Sequence, residues 1–484
     1  MKNKMQWYSL WFFSLCPLCL CGSSAYSAET LERYDLGQRL VLLERAWDAH
    51  PDAAARARAL PVLKLAVPQL LAGKTTKAAE TLDRARLLLQ SPEPRAAERW
   101  AASLLVHPSI RLLDPAQGPL TVRVEPAYPA GERPANASMR LTLLIGNGPT
   151  AVTSAAIALS TPAVTERLSV ERLPEGDHTL RAEVIVDSDT VATYVVGISV
   201  VPRLRERLDR LRLPANSRSV DVATRGTVAA LLAWLALGGA LEANYPAARL
   251  LAEEDELAKS IAAGKRFFGP QRTGQFWLAI PTGDTNTPVR LFVPEQAKAG
   301  KPLPLVVALH GAGGSENLFF DAYGSGLIAR LAAERGWMVV APRAGWLFDG
   351  PPPVPAIVDE LAKLYPVDPK RVYIVGHSMG AMQAITLAQQ SPGRFAAVAA
   401  LGSGGTVTRG ETFKDLPVYI GCGREDFLLS GAKALAEALA KAGATRMTFK
   451  EYPAVEHMLI VQEALPEVFR FFERSVSDVS RKRD

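Results

Sequence analysis

The spacing of apolar residues changes along the chain, and each change predicts a different kind of structure. From residue 29 to about 112 the period is helical. Leu36, Leu40, Leu43 and Trp47 share one face, as do Ala78, Leu82, Ala85 and Leu89. Breaks fall at Pro51, Gly73 and between Pro92 and Pro94, so this stretch predicts a small bundle of short helices, with no strict repeat among them. Between residues 120 and 201 the period drops to two. Leu120, Val122 and Val124 alternate with Thr121, Arg123 and Glu125, and Leu180, Ala182, Val184 and Val186 alternate with polar neighbours before a turn at Asp187-Ser188-Asp189. That pattern predicts a small antiparallel β-sandwich of immunoglobulin-like size, with His178 at a turn and facing solvent. Helical period returns over 203–268. Its apolar run 228–241 is too short to span a bilayer and predicts a buried helix between domains.

After residue 271 apolar runs and helical stretches alternate. Strands are predicted at 276–280, 289–293, 305–309, 338–341, 372–375, 397–401, 418–420 and 448–452. Helices are predicted near 326–334, 357–364, 381–390, 432–441 and 461–474. Such alternation predicts an eight-stranded, mostly parallel sheet with flanking helices. The expected architecture is therefore multidomain: a leader (1–28), an all-α region (29–115), a β-sandwich (116–202), a helical connector (203–270), an α/β domain (271–476) and a basic tail (477–484). Because the strand count is complete within 271–476, that part is expected to fold and work alone on a small substrate.

Composition narrows the function. At 484 residues and 48% hydrophobic content the chain can bury several cores. A formal charge of +6 is spread over Arg-rich helices and the Arg481-Lys482-Arg483 tail without interleaved aromatics, which argues against a nucleic-acid partner. Lys2 and Lys4, the apolar run 7–21 and the small residues Ser23, Ser24, Ala25, Ser27 and Ala28 predict a cleaved leader, hence export to the periplasm or beyond with no stable membrane span left afterwards. Cys16, Cys19 and Cys21 lie within it. A mature chain would keep only Cys422, so no internal disulfide is expected.

The candidate chemistry gathers at Gly376-His377-Ser378-Met379-Gly380, where an apolar run ends in a glycine-framed serine. In a G-x-S-x-G turn a strand runs into a tight corner and a helix leaves at once, holding the serine out at the sheet edge. A serine hydroxyl is a poor nucleophile at neutral pH and needs a base, an orienting acid and donors for the oxyanion. His457 is the base candidate, in a loop between the last strand and the last helix. Asp426 is the acid candidate, after the strand 418–420 in Gly421-Cys422-Gly423-Arg424-Glu425-Asp426, with Glu425 its rival. Cys422 reads as a small buried filler. The oxyanion donors are expected from the Met379 N–H and from Gly311 or Ala312 in the loop His310-Gly311-Ala312-Gly313-Gly314.

Leu309-His310-Gly311-Ala312-Gly313-Gly314-Ser315-Glu316, Tyr365-Pro366-Val367-Asp368-Pro369-Lys370-Arg371, the serine turn and the Asp426 and His457 loops together resemble the secreted esterase branch of the α/β-hydrolases. That branch includes feruloyl esterases, polyhydroxybutyrate depolymerase-like proteins and dienelactone-hydrolase relatives, and it borders the prolyl oligopeptidase catalytic domain. The resemblance covers roughly 271–476; Ala381 stands where many relatives carry a second glycine. It implies a serine hydrolase cleaving carboxylic esters through an acyl-enzyme, with a small-molecule or polymer-linked ester substrate and no metal or organic cofactor. Two alternatives stay open: a prolyl oligopeptidase-like serine peptidase, and an inert binding protein on the same fold. The ester's acyl and alcohol groups, the oligomeric state, and the choice between a lid and a crossover loop for 347–355 stay open as well.

Overall fold

The computed structural model describes residues 31–211, 219–345 and 350–481. The expected leader, the end of the basic tail and residues 347–349 of the segment 347–355 lie outside these.

Five helices open the chain: α1 (Arg33–Ala49), α2 (Ala53–Leu63), α3 (Ala66–Leu71), α4 (Thr75–Gln90) and α5 (Ala96–Ala102). Asp52 starts α2 by accepting the Ala55 N–H at 2.8 Å, one of the amides that has no partner inside the helix. Strands follow earlier than the sequence pattern implied, as β1 (Leu104–Pro108), β2 (Leu112–Leu113), β3 (Leu120–Pro126), β4 (Ser138–Leu144), β5 (Thr150–Thr153), β6 (Ile157–Ala158), β7 (Val164–Leu168), β8 (Gly176–Val186) and β9 (Asp189–Val200). Leu104-Leu105-Val106 prolongs the apolar helical run and carries no mark of its own in sequence. Antiparallel pairing with β3, Leu104 opposite Pro126, makes it a strand. The strands form a three-stranded sheet, β1-β3-β7, and a second sheet ordered β2-β9-β8-β4-β5 with β6 beside β4. Val106, Val122 and Leu168 of the first and Leu141, Val184 and Ile198 of the second bury one common core. His178 departs from its expected solvent-facing place: it lies within β8, is 5% exposed, and bonds the Gly146 N–H (3.2 Å) and the Pro174 carbonyl (2.8 Å).

The connector holds α6 (Leu204–Arg210), α7 (Val220–Leu235) and α8 (Ala247–Ala262). Helix α7 stops before the apolar run does, and Leu237 is 86% exposed. Val228, Leu232 and Leu235 of α7 pack with Leu112, Val201 and Trp277, bridging the β segment and the large sheet.

That sheet contains β10 (Gly274–Thr282), β11 (Thr285–Val293), β12 (Leu303–Leu309), β13 (Met338–Pro342), β14 (Val367–His377), β15 (Ala397–Leu401), β16 (Val418–Gly423) and β17 (Met447–Tyr452) in the order β10-β11-β13-β12-β14-β15-β16-β17. Every expected strand is one of these. The pairings from β13 to β17 are parallel, and β10, β11 and β13 pair antiparallel. All seven residues of β12 are buried, as the unbroken apolar run of a strand covered on both faces requires. Helices α9 (Leu318–Asp321), α10 (Leu327–Arg335), α11 (Val354–Leu364), α12 (Met379–Gln390), α13 (Leu429–Lys441) and α14 (Ile460–Arg481) complete the domain.

The two faces of the sheet are covered differently. One packs Ile357 of α11, Ala384 of α12 and Leu435 of α13. The other packs α10 and α14 and also Leu43 and Trp47 of α1, Leu60 and Leu63 of α2, and Leu82 and Leu89 of α4, all within one continuous core. The opening helices thus supply part of the core of residues 271–476, which weighs against that part standing alone. No helix among the described residues is long and apolar enough to cross a membrane.

Candidate active site

The carboxyl ends of β12, β14, β16 and β17 bring the singled-out residues to one edge of the sheet, where loops of parallel sheets collect. At the end of β14 the backbone of Ser378 takes φ 55° and ψ −116°, a region that side chains disfavour. Two glycines permit the turn. A Cβ on Gly376 would lie 2.0 Å from the Gly380 carbonyl oxygen, and one on Gly380 would lie 2.1 Å from that of Leu309. The Ser378 N–H donates to Leu401 of β15 at 2.9 Å, which pins the corner, and α12 starts at Met379.

His457 Nε2 stands 2.9 Å from Ser378 Oγ. Its Nδ1 lies 3.0 Å from each Asp426 carboxylate oxygen, and Asp426 also accepts the Leu428 N–H at 2.8 Å. Since a carboxylate only accepts, Nδ1 carries the proton and Nε2 is free to take one from the serine. His457 and Asp426 are buried, whereas Ser378 is partly exposed. Glu425, the rival acid, points elsewhere and pairs with Lys64 at 2.7 Å on a half-exposed surface. Cys422 is wholly buried, and burial first, with Asp426 beside it, pushes its thiol up.

The loop after β12 approaches the serine closely. A Cβ on Gly311 would sit 3.3 Å from Ser378 Cβ and 3.2 Å from His377 Nδ1. His310 braces it: Nε2 accepts the Ala344 N–H at 3.0 Å, so Nδ1 carries the proton and donates to the Gly311 carbonyl at 2.8 Å. Burial holds this imidazole below its usual range. Met379 opens α12, so its N–H has no acceptor within the helix.

Several residues at the site carried no signal in the sequence. Tyr323 bonds His377 Nδ1 at 2.6 Å. Phe427 is 46% exposed, and its ring centroid lies 4.8 Å from that of His457. Glu456 is buried and accepts the Met458 and Leu459 N–H groups at 2.8 and 3.1 Å; burial, with the Asp426 charge adding, pushes its carboxyl up to about 8. A cavity of about 180 Å³ beside His457 is walled by Phe427 and Glu425 and, from the opening helices, by Lys64 and Val67. Only proximity in the fold could reveal Lys64 and Val67, which stand more than 350 residues away from His457 in the chain.

Residues 306–480 match the model of the alpha/beta hydrolase family, and the sheet with its flanking helices forms an α/β-hydrolase domain. A protein named as an esterase, NocK, of Nocardia uniformis subsp. tsuyamanensis is 37% identical over 115 residues, 21% of this chain and 33% of that relative. The chain thus spans about a third of the length of that relative. Solved structures with some likeness include an S-formylglutathione hydrolase of Staphylococcus aureus (16% identity, 42% of this chain and 99% of that one, TM-score 0.36). A ferulic acid esterase (18%, 42% and 99%, TM-score 0.36) and a thermostable esterase (18%, 77% and 99%, TM-score 0.38) are others.

Proposed function

We propose that the protein is a serine hydrolase that cleaves carboxylic esters. The observation that carries this reading is the unbroken line from Asp426 through His457 to Ser378, with the serine held at a positive φ on a strand-to-helix corner. In this mechanism His457 Nε2 takes the Ser378 proton as Oγ attacks the ester carbonyl, and Asp426 keeps the imidazole in the Nδ1–H tautomer and stabilises its charged form. The tetrahedral oxyanion sits between the Met379 N–H and that of Gly311 or Ala312. His457 then returns the proton to the departing alcohol, and water attacks the acyl-enzyme by the same route. An ester is preferred to an amide because the peptidase alternative needs a carboxylate to clamp a peptide's amino terminus, and Glu425, the candidate beside the cavity, is engaged by Lys64.

A fluorophosphonate probe is expected to label the protein once, on Ser378, and to leave Ser378→Ala unlabelled. Asp426→Asn should lower kcat for a p-nitrophenyl ester by about 10⁴, the scale seen when a triad acid is replaced by its amide. Labelling at another residue, or turnover surviving in Ser378→Ala, would overturn the assignment. Export belongs to the same proposal and rests on the pattern of residues 1–28. N-terminal sequencing of the protein from its host tests it, and a product still beginning at Met1 would refute it.

A further inference from the structure

We infer that Tyr323 and His377 are positioning residues that fix the backbone of His457, and that Glu44 of helix α1 holds Tyr323 in place for them. This deepens the reading of Ser378 and His457 as nucleophile and base and rests on it.

The inference follows from which atoms can donate. His377 Nε2 lies 3.0 Å from the His457 carbonyl oxygen, which only accepts, so Nε2 carries the proton. Burial, with His457 adding, keeps this ring well below the usual histidine range, so it is neutral and Nδ1 is an acceptor. The Tyr323 hydroxyl, 2.6 Å away, must then donate to Nδ1. The loop that approaches Ser378 packs against the same ring, since a Cβ on Gly311 would lie 3.2 Å from His377 Nδ1. One directed chain results, from Tyr323 through His377 to the peptide carrying the base. The rings also pack in sequence, Tyr323 against His377 edge-on at 5.1 Å and His377 against His457 at 4.8 Å.

Tyr323 itself stands on a turn that does not hold by its own preferences. Gly324 and Ser325 have φ of 57° and 51°, and the second lacks glycine's freedom. Helix α1 secures this turn. Glu44 Oε2 accepts the Gly324 N–H, and Arg45 Nε donates to Ser325 Oγ at 3.2 Å. One turn further along α1, Asp48 accepts from Gln462 of α14 at 3.0 Å, close behind the His457 loop. Glu44 is 1% exposed, and burial pushes its carboxyl well above the ordinary range, so an amide can replace it without removing a needed charge. Helix α1 thereby sets where Tyr323 and His377 hold the peptide of the base relative to Ser378, and errors of about 1 Å in such placement cost roughly 10²-fold in rate.

Tyr323→Phe keeps the buried ring and removes the hydroxyl. It is expected to lower kcat for p-nitrophenyl acetate by about ten- to a hundredfold with KM within about twofold. Fluorophosphonate labelling of Ser378 should slow in proportion. Glu44→Gln should retain kcat within about twofold, whereas Glu44→Ala should lose about as much as Tyr323→Phe. Independently of any variant, ¹⁵N spectra of imidazole-labelled native protein should show His377 as the Nε2–H tautomer. An Nδ1–H tautomer there, or a Tyr323→Phe enzyme with unchanged kcat, or one with raised KM alone, would overturn the inference. Native protein that fails to label at Ser378 would instead refute the underlying esterase reading, so the two failures are distinguishable.

Discussion

The helices of residues 33–102 and the strands of 104–200 adjoin in sequence but bear on the site in opposite ways. The strands build most of a separate core, with Leu141, Val184 and Ile198 facing Val106 and Val122, and Tyr34 of α1 and Trp100 and Ala101 of α5 join it. Helices α1, α2 and α4 build no such core: Leu43, Trp47, Leu63 and Leu82 complete one that belongs to the large sheet. They also reach the site by polar contacts. Trp47 Nε1 donates to Glu463 of α14 at 2.7 Å, Glu44 accepts from Gly324, and Lys64 meets Glu425 beside the cavity. A segment with its own core can be appended to an enzyme, whereas one that lends its apolar face becomes part of it.

The largest expected effect comes from cutting the chain before residue 271. This strips α1, α2 and α4 from the sheet and exposes their contact surface, so the product should aggregate and show no ester turnover. A monodisperse truncation with native kcat/KM would break the contrast. Trp47→Ala should cost about 3–5 kcal/mol for a buried Trp, and unfolding followed by denaturant should coincide with loss of activity. Leu141→Ala, at a fully buried position of the β core, should cost about 2–5 kcal/mol there while leaving kcat at 25 °C within about twofold. If turnover fell as it does in Trp47→Ala, the two segments would not differ in the way their cores imply.

A smaller effect sharpens the seam between α1 and the sheet, where Glu44, Asp48 and Glu456 carry raised carboxyls and each feels another acid. Glu456 goes from an ordinary value of 4.5 to about 8 on folding. The folded protein therefore holds a proton that the unfolded chain has released, and its contribution is full below pH 4.5 and lost as pH rises through about 8. Thermal midpoints should fall between pH 5 and 8, and Glu456→Gln, which can still accept from Met458 and Leu459, should flatten that fall. The smallest effect is expected from Lys64→Ala. Its pair with Glu425 is half-exposed, so stability should change by about 0–1 kcal/mol, and Glu425→Gln should be equally mild for kcat.

Local chemistry made much of this legible in the sequence. The unbroken apolar run of β12 and the glycines around Ser378 act through neighbours only a few residues away, and the strand-to-helix corner follows from them. His457 and Asp426 were legible because a base and an acid at this sheet edge must follow late strands. Where the reading went astray, a distant partner decided. Leu104 to Val106 became strand only because β3 pairs with it, and His178 was buried by Gly146 and Pro174. Short-range pattern thus determined the strands of the sheet and the serine corner, and chain order marked Asp426 and His457 as candidates. Tertiary structure alone decided that the first helices share the sheet's core and that Glu44, about 280 residues before Gly324, caps the turn carrying Tyr323. Burial and hydrogen bonding across such separations depend on which surfaces meet, and the apolar period of a helix records only that one face must be covered, not by what.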